Sequence, residues 1–276
     1  MSAESGTELR VGEMAARLVE VAGVRAVALG GSRARGAHRP DSDWDLGVYY
    51  RGEVDVAALA ALAAEVTGHE VEVAGPGGWG RWVDGGAWLR VDGVAVDWIL
   101  RDLDRVRRVW ADCREGRYEV GVQPGHPLGF WSPAYAGEVA LCRVLADPGG
   151  ELAALRAEAQ GYPEPLRQAL RDAAWEAEFS VAGARKAAST GDDLYLSLCL
   201  SRALGVLAQA LLGHHGVWCL NEKGALRTAS RLPGAPEGFA REVGEVLRSL
   251  DVEAAARLVA RTRAAMTEGR EAATDG

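Results

Sequence analysis

Asp43 and Asp45 stand two residues apart with Trp44 between them, followed by the strand-like residues Leu46 and Val48. In a strand, alternate side chains share a face and lie ~6.5 to 7 Å apart along the chain, so the two carboxylates project to one side and Trp44 to the other. Two hard-oxygen donors at that spacing suit Mg²⁺, which keeps several waters and takes one or two carboxylates together with substrate phosphates; a two-ion arrangement spaces the metals by ~3.5 to 4 Å. Upstream lies Gly30-Gly31-Ser32. Two glycines permit a tight turn whose backbone N–H groups come close to an anion, and the serine adds a hydroxyl where a helix begins, which makes a phosphate cradle. It is not a Walker A loop, since no Gly-Lys-Ser/Thr follows, and it is not the G-x-G-x-x-G of dinucleotide folds. Asp97 interrupts the apolar run VAVDWIL. A buried carboxylate is costly unless a metal or a donor compensates it, so Asp97 either completes a metal site or takes a proton from a hydroxyl. Together these residues favour phosphoryl or nucleotidyl transfer.

The elements that must hold these groups are legible from periodicity. Apolar spacing predicts a helix over 8–21, a buried strand over 24–29, a helical start at Ser32, a strand over 44–50 and a helix over 56–66. Strands are expected at 69–73 and 87–100, the latter folded back at Asp92-Gly93, a dipeptide suited to the left-handed angles of a two-residue hairpin. A helix is expected over 101–114. The breaker cluster Asp147-Pro148-Gly149-Gly150 marks a domain boundary. Beyond it the chain is rich in Ala, Leu and Arg, with helices expected at 151–160, 164–190, 194–212, 237–250 and 252–266 and a frayed tail from 269. The fold class is therefore α/β in the α+β sense: a small mixed-sheet domain over 1–147 and a helical bundle over 148–276.

Composition narrows the possibilities. The 276 residues are 48% apolar and 25% charged, which excludes fibrous and unfolded classes and is enough chain for a core that needs no disulfide or metal. A net charge of −8, with a pI near 5.3, argues against a broad basic face for duplex nucleic acid. Cys113, Cys142, Cys199 and Cys219 are scattered without a C-x-x-C pair and read as reduced cytoplasmic thiols. The opening residues lack the basic start and apolar run of a secretory signal. Residues 194–213 come nearest to a membrane span, but Arg202 near their centre would cost ~2.5 to 3.5 kcal/mol in a bilayer, so a buried helix of a bundle is expected and no membrane partner.

The series Gly-Gly-Ser at 30–32, Ala34-Arg35-Gly36, Ser42-Asp43-x-Asp45-Leu46 and a lone Asp on a later strand resembles the DNA polymerase β-like nucleotidyltransferase superfamily. The likeness leans toward antibiotic-modifying and minimal nucleotidyltransferases of actinobacterial type, with GEVALCRVLADP (137–148) and LNEKGAL (220–226) as weaker points of contact. It implies an α/β catalytic domain that binds an NTP, ATP first, with two Mg²⁺ ions, and a helical domain that closes over nucleotide and acceptor. Carried over by position, Gly31 and Ser32 hold the β- and γ-phosphates, Asp43 and Asp45 bind the metals, and Asp97 is the third acid. The implied reaction moves an NMP to a hydroxyl of a small molecule, aminoglycoside-like or another natural product, with loss of pyrophosphate. Relatives that modify a protein or an RNA end, and catalytically silent nucleotide sensors, keep two other readings open. Trp44 departs from the small aliphatic residue usual between the two acids, but its outward direction spares the metal site.

Other residues carry paired readings. Lys223 is one of only two lysines among 31 basic residues, so a compact ammonium beside a phosphate competes with a solvated loop lysine. Arg35 either ties the cradle to a carboxylate or touches phosphate. Arg202 pairs with a structural acid or reaches a cleft. Arg101, Arg105 and Arg108, at helical spacing, read as a solvated stripe. Asp41, in a loop at odd spacing, is a weaker ligand than Asp43. Gly75–Gly86, with Trp79 and Trp82, could be a mobile lid with a stacking surface or a plain connection. His214-His215 and Cys219 lack partners at zinc-ligand spacing. Glu138, Glu176, Glu178 and Glu222 are equal candidates for a base in the later half.

Overall fold

A computed structural model describes the backbone of residues 3–274 and the side chains of residues 6–267. The elements of the first part are α1 (Ala3–Leu18), β1 (Val24–Leu29), the single turn α2 (Gly31–Ala34), β2 (Trp44–Tyr50), α3 (Val56–Thr67), β3 (Gly86–Val91), β4 (Val94–Asp102) and α4 (Leu103–Arg114). There follow β5 (Val120–Gln123), β6 (His126–Trp131), α5 (Pro133–Leu141), β7 (Arg143–Ala146) and α6 (Glu151–Ala159). The remainder is helical: α7 (Glu164–Asp172), α8 (Trp175–Thr190), α9 (Asp193–His214), α10 (Ala225–Ala229), α11 (Phe239–Ser249) and α12 (Val252–Thr274). The chain divides into two compact units, one of residues 1–111, 121–125 and 135–161, the other of 112–120, 126–134 and 162–276.

The first unit is built on a five-stranded sheet of order β3-β4-β2-β1-β7, in which only β2 and β4 run parallel. Alternation decides the faces. Trp44, Leu46, Val48 and Tyr50 of β2 and Val96, Trp98 and Leu100 of β4 enter one core with Leu18, Leu59 and Leu62 of α1 and α3, while Asp45 and Asp97 fall on the opposite face. Helix α3 starts where the Asp55 carboxylate accepts the Ala58 N–H at 2.9 Å and stops at Gly68, whose φ of 77° no β-branched residue tolerates. The expected hairpin forms: Asp92 and Gly93, both at positive φ, turn β3 into β4.

Two expectations are corrected here. Residues 69–73 alternate like a strand but join no ladder; a single bridge from Ala74 to Gly86 is all the pairing this segment makes. β4 runs on through Arg101 to Asp102, so Arg101 is a strand residue, 4% exposed, and not part of a solvated helical stripe. β7, in a segment for which no element was expected either way, adds itself antiparallel to β1.

The second unit is a helical bundle. Ala177, Val181, Ala184 and Ala187 present the small face of α8 to Leu196, Leu200, Ala203 and Leu207 of α9, and Phe239, Val243, Leu258 and Val259 close the core. Small residues on α8 let the two backbones approach closely: a Cβ at Gly183 would stand 3.2 Å from the Cys199 sulfur. The helix expected over 164–190 is broken at Ala173-Ala174 into α7 and α8, and α12 continues to Thr274 where a frayed tail was expected. α9 is the one described helix long and apolar enough to cross a membrane, and 72% of its apolar window is buried within the fold. This unit also carries an open, mostly apolar pocket of about 600 Å³ lined by Leu128, Leu204, Ala208 and Val243 among others.

Candidate active site

Sheet register brings the acids together. Asp45 and Asp97 are direct partners on the parallel strands β2 and β4, and residues paired across a ladder share a face. Asp43 lies two residues before Asp45, just ahead of β2, and is exposed. Trp44 points the other way, 4% exposed, with the Arg33 guanidinium stacked 4.3 Å from its ring centre. Arg33 also donates from Nε to the Ser42 carbonyl at 3.0 Å, which fixes the loop that delivers Asp43.

The glycine turn closes on the same acids. The Gly30 N–H donates to the Asp45 carbonyl at 2.7 Å, and Gly31 sits at φ 61° directly against the Asp45 carboxylate. A Cβ built on Gly31 would come within 1.8 Å of Asp45 Oδ2, so this position needs glycine twice over, for its backbone angle and for the space its missing side chain leaves. Ser32 follows in α2, its hydroxyl without a hydrogen-bond partner among the described residues. Arg35 is exposed and donates from Nε to the Gly31 carbonyl at 3.0 Å, bracing the turn from behind.

Electrostatics single out Asp97. Its half-burial first, and then the neighbouring Asp45 and Asp43 carboxylates, push its carboxyl up to about 6. It has no hydrogen-bond or ion-pair partner among the described residues. Asp41 is spent elsewhere, accepting from Arg39 at 2.9 Å. Among the described residues no three His, Cys, Asp or Glu side chains gather tightly enough to close a metal cage, so the expected three-acid centre is not preassembled. Three like charges repel one another, and the ion they suit keeps its own waters and takes substrate oxygens, so a closed protein cage is not required. The donor set fits Mg²⁺: carboxylates only, one of them half-buried and uncompensated.

The remaining candidates are engaged or separate. Glu138 grips the buried Arg101 through two hydrogen bonds of 2.6 and 2.8 Å. Glu176 holds Arg202 at 2.5 and 3.0 Å, which makes Arg202 a structural partner. Glu178 pairs with Arg263, and Glu222 accepts the Leu128 N–H at 3.0 Å while lying 3.2 Å from His126 Nδ1. Each of these four alternative candidates for a base is therefore already paired. Lys223 belongs to the second unit, exposed in the turn before α10, where its backbone N–H donates to the Asn221 side chain at 2.9 Å.

Gly75–Gly86 is pinned, not hung as a free lid. Gln123 accepts from the Trp82 and Val83 N–H groups and donates to the Trp79 carbonyl at 2.6 Å. Asp84, buried, accepts from the Tyr50 hydroxyl at 2.8 Å and from the Gly77 N–H at 2.9 Å.

No curated protein matches the sequence. A solved structure described as a nucleotidyltransferase-like protein from Exiguobacterium sibiricum 255-15 aligns over 97% of this chain and 74% of its own length, at 13% identity and a TM-score of 0.41. Residues 12–105 match the family model of the nucleotidyltransferase domain, a span that holds Gly31, Ser32, Arg35, Asp43, Asp45 and Asp97. Asp43, Asp45 and Asp97 thus all fall inside the span that matches the nucleotidyltransferase-domain model.

Proposed function

We propose that the protein is a Mg²⁺-dependent nucleotidyltransferase that moves an NMP from an NTP, ATP first among the donors, to a hydroxyl of a small molecule and releases pyrophosphate. The observation that carries this reading is the register pair Asp45 and Asp97 with Gly31 seated against the Asp45 carboxylate. Asp43 and Asp45 would hold the metal, with Asp97 as third acid; when bound, the ion neutralises phosphate charge and favours ionisation of the acceptor. Gly31 lets the turn close on the Asp45 carboxylate, which would bring its backbone N–H groups and the free Ser32 hydroxyl to a phosphate beside the acids. The acceptor oxygen forms its bond to the α-phosphorus as the bond to the bridging oxygen of the pyrophosphate breaks. Asp97, whose carboxyl half-burial and the Asp45 and Asp43 charges raise to about 6 in the metal-free site, is the acid placed to receive the hydroxyl proton.

The net charge of −8 favours a cationic acceptor such as an amino sugar, and four cysteines that form no disulfide accord with a cytoplasmic setting. Purified protein incubated with Mg²⁺, each NTP and a panel of hydroxylated metabolites should release pyrophosphate and yield a product heavier by one NMP. Asp45→Asn should lower that rate by ~10²- to 10³-fold with the fold retained, the range expected when a charge-stabilising group is removed. Unchanged turnover in Asp45→Asn overturns the assignment.

A further inference from the structure

Trp88 is the exception among the sheet tryptophans. It is 68% exposed, whereas Trp44 and Trp98 are buried. Its flanking residues Ala87 and Leu89 enter the core, so the pleat puts Trp88 on the face of the acids. Register makes this specific: Trp88 is the direct partner of Asp97, Asp97 of Asp45, and Gly30 bonds to the backbone of Asp45. One row across the sheet therefore carries an indole, a carboxylate, a carboxylate and a glycine turn, in that order, at a strand spacing of about 4.8 Å.

The indole is also propped. Trp79 stacks on it with ring centres 4.2 Å apart and planes within 14°. The Trp79 ring lies over Gly86, where a Cβ would come within 3.0 Å of it, and the Trp79 backbone is fastened by hydrogen bonds from its N–H to the Asp84 carbonyl and to its carbonyl from Gln123. A large apolar ring held rigid and left in water loses burial energy but is prepared to bind without further ordering.

We propose that Trp88, braced by Trp79, is the platform on which the ring of the hydroxyl acceptor stacks; this rests on the nucleotidyl-transfer reading above. An in-line displacement places the attacking oxygen opposite the leaving pyrophosphate. With the triphosphate at the glycine end of the row, the acceptor enters at the Trp88 end. A ring lying flat on the indole, with a hydroxyl on its rim, presents that hydroxyl one strand away, at Asp97. The acceptor class is therefore a ring-bearing alcohol, whether sugar, cyclitol or phenol, and Trp88 is a positioning residue that selects it.

The test uses full-length protein labelled with 5-fluorotryptophan, the Trp88 ¹⁹F resonance being identified by its loss in Trp88→Phe. The protein is titrated with Mg²⁺ and the α,β-methylene analogues of the four NTPs, then with kanamycin, methyl glucoside and tyramine as amino-sugar, neutral-sugar and phenol probes. The analogue alone should leave the Trp88 resonance in place, and at least one ring probe should shift it saturably. Trp88→Ala should weaken that probe about tenfold or more, as loss of a stacked ring does, Trp88→Phe less than threefold, and both should bind the analogue within twofold of wild type. A shift caused by the analogue alone, a silent Trp88 with all three probes, or unchanged probe affinity in Trp88→Ala overturns the proposal. Absence of Mg²⁺-linked uptake of any analogue defeats the nucleotidyl-transfer reading itself; normal uptake with a silent Trp88 defeats this inference alone.

Discussion

Asp97 on β4 and Arg202 on α9 present the same feature in sequence, a lone charge inside an apolar run, and the fold treats them in opposite ways. Arg202 is answered: Glu176 takes two of its N–H groups and the Leu128 carbonyl a third at 2.7 Å. Asp97 receives two more negative charges as neighbours and no cation. Buried charge that is paired serves architecture, whereas buried charge left unpaired raises the free energy of the fold and survives where a ligand supplies the missing partner. Within β4 itself the contrast repeats four residues on, where Arg101 on the same face is clasped by Glu138 and the Val83 carbonyl.

After Asp45→Asn, the largest effect expected is at the glycine turn. Gly31→Ala places a Cβ in the Asp45 carboxylate and should cut nucleotidyl transfer by at least ~100-fold, equivalent to about 2.7 kcal/mol. Gly36→Ala is its control: φ is 64° there, but nothing lies within 4 Å of the added carbon. Both changes carry the backbone cost of about 1 kcal/mol for a left-handed alanine, so their melting temperatures should fall together while only the Gly31 variant loses activity. Equal activity in the two variants would remove the turn from the site.

Arg202→Leu should cost about 2 kcal/mol in denaturant unfolding, below the usual 3–5 for a buried pair because both partners are about 30% exposed. Arg202→Leu with Glu176→Leu should recover part of that loss, since no uncompensated carboxylate remains. An additive double mutant would show that the pair is not coupled.

Asp97→Asn has the opposite sign and the smallest size. Because the folded state raises this carboxyl above its ordinary value, its charge weakens the fold once pH exceeds about 6. The variant should melt above wild type by a few degrees at pH 8 without magnesium. The gain should shrink as pH falls through 6 toward the ordinary aspartate range, where wild type is protonated as well. A variant that melts below wild type at pH 8 would mean that the Asp97 charge is compensated after all.

Much of the site was legible because its signals are local. Pleat parity alone places Asp43 and Asp45 on one side of β2 and Trp44 on the other, and Asp92-Gly93 needs only its own backbone preferences to turn. The rest depended on pairing between distant segments. That Asp97 meets Asp45, and that Trp88 meets Asp97, is a matter of register between strands some 40 residues apart or joined by a hairpin, which spacing cannot supply. Trp88 did leave a trace: a large ring at the outward position of an alternating strand, between Ala87 and Leu89, where a polar residue is the ordinary choice. Arg101 misled because its spacing from Arg105 and Arg108 is helical, although parity from Asp97 runs straight through it. Residues 69–73 misled in the other direction, since alternation makes a strand only where an edge has partners to offer.

Calorimetric titration of the full-length wild-type protein and of Asp45→Asn with each nucleoside triphosphate, with and without Mg²⁺, tests the central claim most directly. Wild type should take up at least one triphosphate far more tightly with magnesium than without it, and Asp45→Asn should lose that linkage while melting within a few degrees of wild type. Uptake that is indifferent to magnesium, or a linkage that persists in Asp45→Asn, would contradict the account.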